Sequence, residues 1–403
     1  MNRQIAAFRF CARRYETGEP VQITVRGSRI ASVEPAWPGQ AFLDWPWVAP
    51  GLFDLQVNGY GGIWFSSPTV TSSEVATAVR QFLPHGVTCI LPTLITNSHA
   101  ALLQGFRAVA EACRNDPVVD RMVMGCHLEG PWLSSLDGPR GAHPREHIRT
   151  ADWGEFSELQ AASGGRIRLV TIAPEIPGAL DFIGRAVAAG VTISIGHTAA
   201  TTAEIAAAVA QGARLSTHLG NGCHLQLPRH PNYVWDQLGD PRLSASVITD
   251  GHHLPPAVVR AIVASKGWHS TIITCDASGW AGCAPGQYTH SAGRVDVLAS
   301  GKIVVAGQEQ ILAGSSATTE VCVARAAEMG ACTLAQAIDM ACRNPCRLLG
   351  FPEYRLMSGD LANLILFRSG MSGDATPGQG LNVVATLLHG QLAYGELASL
   401  PSH

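Results

Sequence analysis

The middle of the chain alternates short apolar runs of β type with longer segments of helical pattern. One such unit has a β-branched run at residues 191–195, an Ala-rich helical segment at 202–211 and a second short apolar run at 215–217. Strand, helix and strand in this order predict two neighbouring parallel strands joined by a right-handed crossover. Because parallel strands end at the same edge of a sheet, His197 and His218 should lie side by side there.

The same alternation recurs often enough to predict a closed barrel. Helical patterns separate many of the apolar runs, as at residues 72–83, 100–113, 179–189 and 256–266. Eight strand–helix units over about 300 residues fit a TIM barrel better than an open doubly wound sheet, and no G-x-G-x-x-G or Walker-type loop indicates a nucleotide fold. The predicted strands cover residues 53–57, 87–91, 122–128, 167–172, 191–195, 215–217, 245–248 and 271–274.

Both ends of the chain have patterns typical of short strands punctuated by glycine. Near the N-terminus, VQITVRGSRIASVEP alternates apolar and polar residues around Gly27 and Ser28, which predicts a hairpin. LMSGDLANLILF and NVVATLLHGQLAYGE are similar at the C-terminus. We therefore predict an α/β chain in which a (β/α)8 TIM barrel covers residues 50–354. A small β-sandwich domain would be built from both termini, residues 1–49 and 355–403.

Composition and charge exclude several classes of protein. Hydrophobic residues make up 46% of the chain and charged residues 15%, and the net charge is −3 without a basic or acidic run, so no nucleic-acid partner is expected. No apolar stretch approaches the ~20 residues of a membrane span, and the N-terminus lacks a signal-peptide pattern. The eleven cysteines include no C-x-x-C pair. We expect a cytoplasmic protein with free thiols and no membrane association.

Acids and imidazoles follow the predicted strands at the ends where the active site of a TIM barrel lies. Glu129, His197 and His218 form a two-His, one-carboxylate set of the kind found in hydrolytic zinc sites, with the fourth position left for water. The alternative is that each histidine satisfies a loop and that Glu129 caps a helix or a loop. Polar residues also stand at the other strand ends: Asp54, Gln56, Asn58, His127, Glu175, Asp250, His252, His253 and Asp276.

Asp276 suits a general base, because a carboxylate opposite the metal can take a proton from water and pass it to a leaving nitrogen. The alternative is a turn aspartate. Period-two alternation sends His127 to the same inner face as Glu129, where we expect a hydrogen-bonded neighbour and not a ligand. Cys126 and Cys275 are opposite in phase to Glu129 and Asp276, so they are predicted to be core residues, and we predict the same for Cys89.

Several segments of the chain resemble the N-acetylglucosamine-6-phosphate deacetylases of the amidohydrolase superfamily. They occur in order from about residue 50 to 367: APGLFDLQVNGYGG, HLEGPW, PRGAHPREHIR, TIAPE, ISIGHTAAT, STHLGN, ITDGHH, CDASGWAG, ILAGSSAT, RNPCRLLG and GDLANLILF. The resemblance implies a barrel of the metal-dependent hydrolase type with a small β-sandwich domain. It also implies hydrolysis of an N-acetyl amide.

The resemblance also assigns roles to individual residues. It places metal ligands at Glu129, His197 and His218 and the catalytic acid/base at Asp276. The phosphate-binding arginine would reach over from a neighbouring subunit, which implies a homodimer. The implied substrate-binding residues are His143, Asn221, Gly222, Arg229 and His253, of which Arg229 and His253 would hold the sugar phosphate.

The residues at the first strand end bear on the number of metal ions. Gln56 and Asn58 stand where many superfamily members have His-x-His, a pattern like the single-metal branch of the family. Lys266 and Lys302 do not lie at strand ends, so a carbamylated bridging lysine is not expected. We therefore expect one divalent metal per chain, and Zn²⁺ is the expected ion.

Two loops differ from the usual pattern of the family and leave the exact substrate open. The segment after His218 is rich in histidine and aromatics, and the loop after the eighth strand has Ser278, Gly279 and Trp280 where a smaller apolar stretch is usual. The predicted reaction is deacetylation of N-acetylglucosamine-6-phosphate. Alternatives are another N-acetyl amino sugar, with or without phosphate, and an N-acyl-D-amino acid. An inactive barrel used as a scaffold would not need all four site residues.

Overall fold

A computed structural model describes residues 7–37, 39–290, 293–368 and 380–397. Its central feature is one sheet of eight strands, in which every neighbouring pair is parallel and follows chain order. The predicted barrel is confirmed. The eight barrel strands, which we number first to eighth, are Leu52–Val57, Val87–Ile95, Cys126–Glu129, Ile167–Ile172, Thr192–Ile195, Leu215–Ser216, Ser244–Ile248 and Thr271–Thr274.

Helices connect the barrel strands and cover their outer faces, so the strands are buried on both sides and appear as near-continuous apolar runs. Capping boxes begin two helices, at Thr71 with Glu74 and at Thr201 with Glu204. No helix in the described part of the chain is both long and apolar enough to span a lipid bilayer. The helices are Ser72–Arg80, His99–Asn115, Pro117–Met122, Trp153–Ala162, Ala179–Ala188, Thr202–Ala210, Tyr233–Gly239, Pro256–Lys266, Thr319–Glu328, Leu334–Met340 and Arg343–Leu349.

The third strand is shorter than predicted. It begins at Cys126, and the preceding residues form a short helix, Pro117–Met122, whose first N–H groups donate to the side chain of Asp116. The predicted core cysteines are confirmed, since Cys89, Cys126 and Cys275 are all fully buried. Where a short helix and a strand share one apolar run, the run has no periodicity that shows where the helix ends and the strand begins.

Both ends of the chain form a second sheet of seven strands. The strand Trp47–Pro50 lies at its centre, parallel to the N-terminal Ala7–Arg14 and antiparallel to the C-terminal Leu364–Arg368. The predicted hairpin at Gly27 and Ser28 is confirmed. The domain limits stay a prediction, and residues 1–6, 38, 369–379 and 398–403 of that predicted domain lie outside the described residues. The remaining strands are Pro20–Arg26, Arg29–Pro35, Asn382–Leu388 and Gln391–Gly395.

Two smaller sheets lie at the C-terminal edge of the barrel. A hairpin of Gly59–Tyr60 and Ile63–Trp64 follows the first strand. A four-stranded antiparallel sheet, the insert sheet, follows the eighth strand and was not predicted. Its strands are Gly286–His290, Gly293–Val297, Ile303–Val305 and Gln308–Leu312.

The first and eighth strands meet at a seam that Asp54 holds together. This fully buried carboxylate accepts hydrogen bonds from the hydroxyl of Thr274, from the backbone N–H of Cys275 at 2.9 Å and from the hydroxyl of Thr319 at 2.7 Å. Beyond it, the N–H of Asn58 donates to a carbonyl of the loop after the eighth strand at 2.9 Å. Charge-assisted hydrogen bonds of this kind are stronger than neutral ones, so the seam closes through a side chain.

We expect Asp54→Asn to lower the free energy of unfolding by about 2–4 kcal/mol. The amide replaces an acceptor with a donor, which leaves buried N–H or O–H groups of the seam without an acceptor. Urea unfolding followed by circular dichroism measures the effect. Asp181→Asn, on an exposed helix face, is the matched control and should change stability by no more than about 0.5 kcal/mol. Equal midpoints for both variants would contradict the role of Asp54.

Candidate metal centre and active site

Three predicted ligands converge at the C-terminal edge of the barrel. The Nε2 atoms of His197 and His218 are 3.1 Å apart, and they lie 3.3 Å and 3.1 Å from Oε1 of Glu129. All three residues are buried. These separations are about those of neighbouring ligands around a tetrahedral ion with bonds of ~2.0–2.1 Å. The predicted pairing of His197 with His218 follows directly from the parallel pairing of the fifth and sixth strands.

The backbone at the strand ends turns the site residues inward. His197, His218 and Asp276 have positive φ angles of 50°, 29° and 52°. This left-handed region is uncommon for residues with a Cβ, although Asp and His occur there more often than most. Each such residue costs on the order of 1–3 kcal/mol, and such strain concentrates at functional sites.

The hydrogen bonds behind the cluster fix which nitrogen atoms face it. Nδ1 of His197 lies 2.8 Å from the carbonyl oxygen of Pro139, which can only accept, so Nδ1 carries the proton and Nε2 presents its lone pair. His143 Nε2 is 3.3 Å from His197 Nε2, and His143 Nδ1 contacts the hydroxyl of Thr96 at 2.9 Å. Such outer partners orient ligating histidines in metal sites.

The donor set fits a divalent cation. Ligand atoms of Glu129, His143 and His197 all lie within 4.8 Å of one another, and His218 lies against the same carboxylate oxygen. Imidazole and carboxylate donors suit Zn²⁺. Burial alone would raise the pKa of Glu129, but its contacts with the imidazoles of His197 and His218 hold the pKa well below its usual range. Burial, and then the neighbouring His197, lower the pKa of His143 to about 3, so this ring is neutral at pH 7.

Asp276 faces the cluster from the eighth strand and is held by two amides of the first strand. Gln56 Nε2 donates to Glu129 Oε1 and to Asp276 Oδ1, both at 3.0 Å, and Asn58 Nδ2 donates to the same Oδ1 at 2.7 Å. Burial, and then the negative charge of Glu129, raise the pKa of Asp276 to about 8. A cation bound between the two carboxylates would oppose this effect. Gln56 and Asn58 therefore act here as donors to carboxylates.

Other polar residues at the strand ends support the site from behind. His127 lies 2.8 Å from the hydroxyl of Thr171, and burial lowers its pKa to about 4, in line with its predicted place as a hydrogen-bonded neighbour. Glu175 accepts from the Thr198 hydroxyl and the Ala199 N–H, both at 2.6 Å, and so braces the loop that begins at His197.

A cavity of about 1120 Å³ lies over the cluster, and most of the predicted substrate-binding residues line it. Asp250 Oδ2 accepts the Nδ1 proton of His253 at 2.8 Å, which turns the other ring nitrogen away from this carboxylate. Asn221 is anchored by its N–H, which donates to the carbonyl of His218 at 2.9 Å. The predicted residues that line the cavity are His143, Asn221, Gly222 and His253.

Gly222 and Arg229 lie in the long loop after the sixth strand, and only Gly222 approaches the cluster. A Cβ built on Gly222 would lie 2.7 Å from Nδ1 of His197, and its φ is 57°, so both space and backbone require glycine. Arg229 is exposed and is not among the residues that line the cavity of its own chain. The structure therefore brings together all the predicted site residues except Arg229.

The insert sheet supplies a further wall of the cavity that was not predicted from the sequence. Arg294, Lys302, Gln308 and Gln310 of this sheet line the cavity opposite the barrel. These residues belong to no sequence motif, and their strands are largely exposed. They can be recognised as cavity-lining residues only because the folded sheet lies close to the barrel. Trp64, in the hairpin after the first strand, also lines the cavity and was not predicted to do so.

Comparison with known proteins shows the family to which the chain belongs. The profile of the Amidohydrolase family matches residues 47–392. The chain belongs to this family. Amidohydrolases depend on metal ions, and the buried Glu and His cluster is a site of that kind. Within the family the chain groups with the N-acetylglucosamine-6-phosphate deacetylases, as the sequence motifs predicted.

Three relatives illustrate this likeness. The chain is 31% identical to N-acetylglucosamine-6-phosphate deacetylase of Homo sapiens, across 86% of this chain and 83% of the relative. It is 30% identical to N-acetylgalactosamine-6-phosphate deacetylase of Escherichia coli O157:H7, across 92% and 94%. A solved structure from Mycobacterium smegmatis has 33% identity and a TM-score of 0.84, and the match covers 96% of this chain and 99% of that one. That structure is an aspartate-to-alanine variant of N-acetyl-D-glucosamine-6-phosphate deacetylase in complex with N-acetyl-D-glucosamine-6-phosphate.

Proposed function

We propose that this protein is a metal-dependent hydrolase that converts N-acetylglucosamine-6-phosphate to glucosamine-6-phosphate and acetate. The observation that carries the proposal is the convergence of Glu129, His197 and His218 opposite Asp276 in one cavity. Relatives that bear the name of this activity cover most of the chain. The cavity is large enough to bury a sugar phosphate, since ligand sites commonly measure ~300–1,000 Å³.

The metal would be held by Glu129, His197 and His218. The donor set supports Zn²⁺, which when bound polarises a carbonyl group and makes water more acidic. Gln56 and Asn58 support a single ion, because their amides are already engaged with the two carboxylates. His143 is neutral, and in the tautomer with its proton on Nε2 and with Nδ1 accepting from Thr96 it would donate to the oxygen of the amide carbonyl as negative charge develops there.

Asp276 would move the proton through the reaction. As the oxygen of water bonds to the amide carbon, a carboxylate oxygen of Asp276 takes a proton from that water. When the carbon–nitrogen bond breaks, the same proton passes to the amine nitrogen, so the products are acetate and the amino sugar. Hydrogen bonds from Gln56 and Asn58 both reach Oδ1, which fixes the plane of the carboxylate for this transfer.

The sugar and its phosphate would lie toward the loops after the sixth and seventh strands. His253 is oriented there by Asp250, and Asn221 and Gly222 line the same side of the cavity. Arg229 would bind the phosphate of the substrate in the active site of a neighbouring subunit. This arrangement requires a homodimer. The exposed position of Arg229, away from the cavity of its own chain, supports this arrangement. A guanidinium can hold phosphate through two parallel hydrogen bonds.

A second candidate substrate is N-acetylgalactosamine-6-phosphate. The similarity to the Escherichia coli deacetylase of that sugar extends over 94% of its length, and that match covers more of both chains than the human one does. The two sugars differ only in the configuration of one hydroxyl group, so the same metal and acid/base groups serve both. A screen of N-acetyl amino sugars of both configurations, with and without 6-phosphate, separates the candidates by kcat/KM.

We expect one tightly bound divalent metal ion per chain. Elemental analysis of the active, metal-saturated protein should find one ion, and His197→Ala should lose it because one of three ligands is removed. His99→Ala removes a surface histidine that contacts Glu155 and Glu158, and this control should keep the metal. Two tightly bound ions per chain would contradict the single-metal site.

We expect Asp276→Asn to keep the fold and the metal and to lose turnover. The amide has the same shape but cannot carry the proton, and general acid/base groups contribute roughly 10²–10⁴-fold. The measurements are kcat with N-acetylglucosamine-6-phosphate and metal content of the same preparation. A variant that retained more than about a tenth of the wild-type kcat would show that Asp276 is not the base.

We expect Arg229→Ala to lower kcat/KM for the 6-phosphorylated sugar. The corresponding loss of transition-state stabilisation should be about 1.5–3 kcal/mol, the range for a hydrogen bond to a charged group. The slow reaction of the sugar without phosphate should remain nearly unchanged. Arg242→Ala removes an exposed arginine paired with Asp240 and should affect neither substrate. An equal loss with both sugars would mean that Arg229 is structural.

A mixing experiment tests whether Arg229 acts across subunits. Each of the variants Arg229→Ala and Asp276→Asn has low activity alone. In a mixed dimer, the subunit with intact Asp276 receives Arg229 from its neighbour, so one complete site forms. Activity should therefore rise after co-refolding or co-expression of the two variants. Light scattering should show a dimer, and a monomer or an absence of rescue would contradict the shared site.

A further inference from the structure

Trp64 lies between the catalytic cavity and a second cavity of about 320 Å³. Among the described residues that line the two cavities, Trp64 is the one that both share. Its side chain is buried, with 7% of its surface exposed, so it forms a wall and not a flap over an open mouth. The second cavity has about ten times the ~30 Å³ that one water molecule occupies in the liquid, which leaves room for a short chain of methylene groups.

The wall is held in place by the strand ends that also hold Asp276. The N–H of Phe65 donates to the carbonyl of Asn58 at 3.0 Å, and the side chain of Asn58 donates to Asp276. A Cβ built on Gly279 would lie 2.4 Å from Cδ1 of Trp64, so the indole packs directly against this backbone. Glycine at position 279 is therefore a steric requirement of the wall.

Aromatic rings support Trp64 from the far side. Trp280 meets it edge to face with 6.2 Å between ring centroids, and Tyr288 stacks on Trp280 at 4.6 Å. Trp280 lines the second cavity and not the catalytic one. Edge-to-face and stacked pairs of this kind are favourable beyond the apolar area that they bury, because the positive edge of one ring meets the negative face of the other. The indole of Trp64 therefore has one defined position.

The second cavity has a mixed lining and is partly open to solvent, since Gly62, Pro68, Glu74 and Thr289 among its lining residues are exposed. Ile63, Pro68 and Val70 line it together with the two tryptophans. The carboxylate among its described lining residues, Glu74, already accepts hydrogen bonds from Thr71 at the start of a helix. An alkyl chain that lay against the two indoles and Val70 would remove apolar surface from water, which is favourable.

Trp64 and Ile95, at the ends of the first two strands, form one apolar part of the lining of the catalytic cavity. The polar residues His143, Asn221 and His253 line it after the third, sixth and seventh strands. In an N-acyl amino sugar phosphate the acyl tail is the apolar part. It is therefore the part of the substrate that the side of the cavity formed by Trp64 and Ile95 can accept.

We infer that Trp64 determines the length of the acyl group that the enzyme removes, by closing the acyl side of the catalytic cavity against the second cavity. The inference rests on the proposed hydrolysis of an N-acyl amino sugar phosphate. With Trp64 in place, acetyl fits and longer chains meet the indole. Without it, the two cavities join, and a chain of about six carbons can extend toward Trp280.

The test compares N-acetyl- and N-hexanoylglucosamine-6-phosphate with the wild-type protein, Trp64→Ala and Trp64→Phe. In Trp64→Ala the ratio of kcat/KM for hexanoyl over acetyl should rise at least tenfold, with a smaller rise in Trp64→Phe. Val70→Ala enlarges only the second cavity and should leave the ratio at the wild-type value. Thermal unfolding of each variant shows that it is folded.

A binding measurement separates this inference from the proposed reaction. Calorimetric titration of the metal-loaded proteins with acetate and hexanoate should show at least a tenfold gain in the relative affinity for hexanoate in Trp64→Ala. If wild type fails to hydrolyse the N-acetyl sugar, the proposed function is wrong, while the binding ratio still decides the role of the wall. An unchanged binding ratio, or a wild type that accepts hexanoyl as readily as acetyl, would overturn the inference.

Discussion

The closure of the barrel between its first and eighth strands is the constraint on which the site depends. Buried Asp54 holds this seam through the side chain of Thr319 and the backbone of Cys275. The closure brings Gln56 and Asn58 within 3.0 Å and 2.7 Å of Asp276, which belongs to the opposite end of the barrel sequence. An open sheet would separate these residues, so the acid/base and its donors exist as a unit only in the closed form.

The chemistry of the site follows from the electrostatic cost of this closure. Two buried carboxylates, Glu129 and Asp276, share the amide of Gln56, and the charge of Glu129 helps to raise the pKa of Asp276 to about 8. Imidazole lone pairs converge on the same space. A divalent cation relieves both the repulsion between carboxylates and the crowding of lone pairs, which couples metal binding to the protonation of Asp276.

Much of the site could be predicted from local patterns, and the rest depends on contacts distant in sequence. The strand–helix–strand unit around residues 191–217 predicts the contact between His197 and His218, because parallel pairing leaves one arrangement. The insert sheet has exposed, alternating strands without a motif, so its position over the cavity could not be predicted. The predicted start of the third strand was wrong, because a short helix and the strand lie in one apolar run of the sequence. Arg229 lies outside the cavity of its own chain, so its assignment to the phosphate stays a prediction.

The wall at Trp64 shows why substrate specificity was least predictable. A tryptophan in an apolar run indicates only a core residue, and nothing in its neighbourhood in the sequence relates it to Gly279, more than two hundred positions away. Their contact arises because the hairpin after the first strand and the loop after the eighth meet across the seam. In the proposed reaction the chemistry depends on residues that point into the barrel axis, whereas the acyl side that we infer depends on packing between loops. A change in packing at Trp64 would then alter the substrate while Glu129, His197, His218 and Asp276 keep their positions.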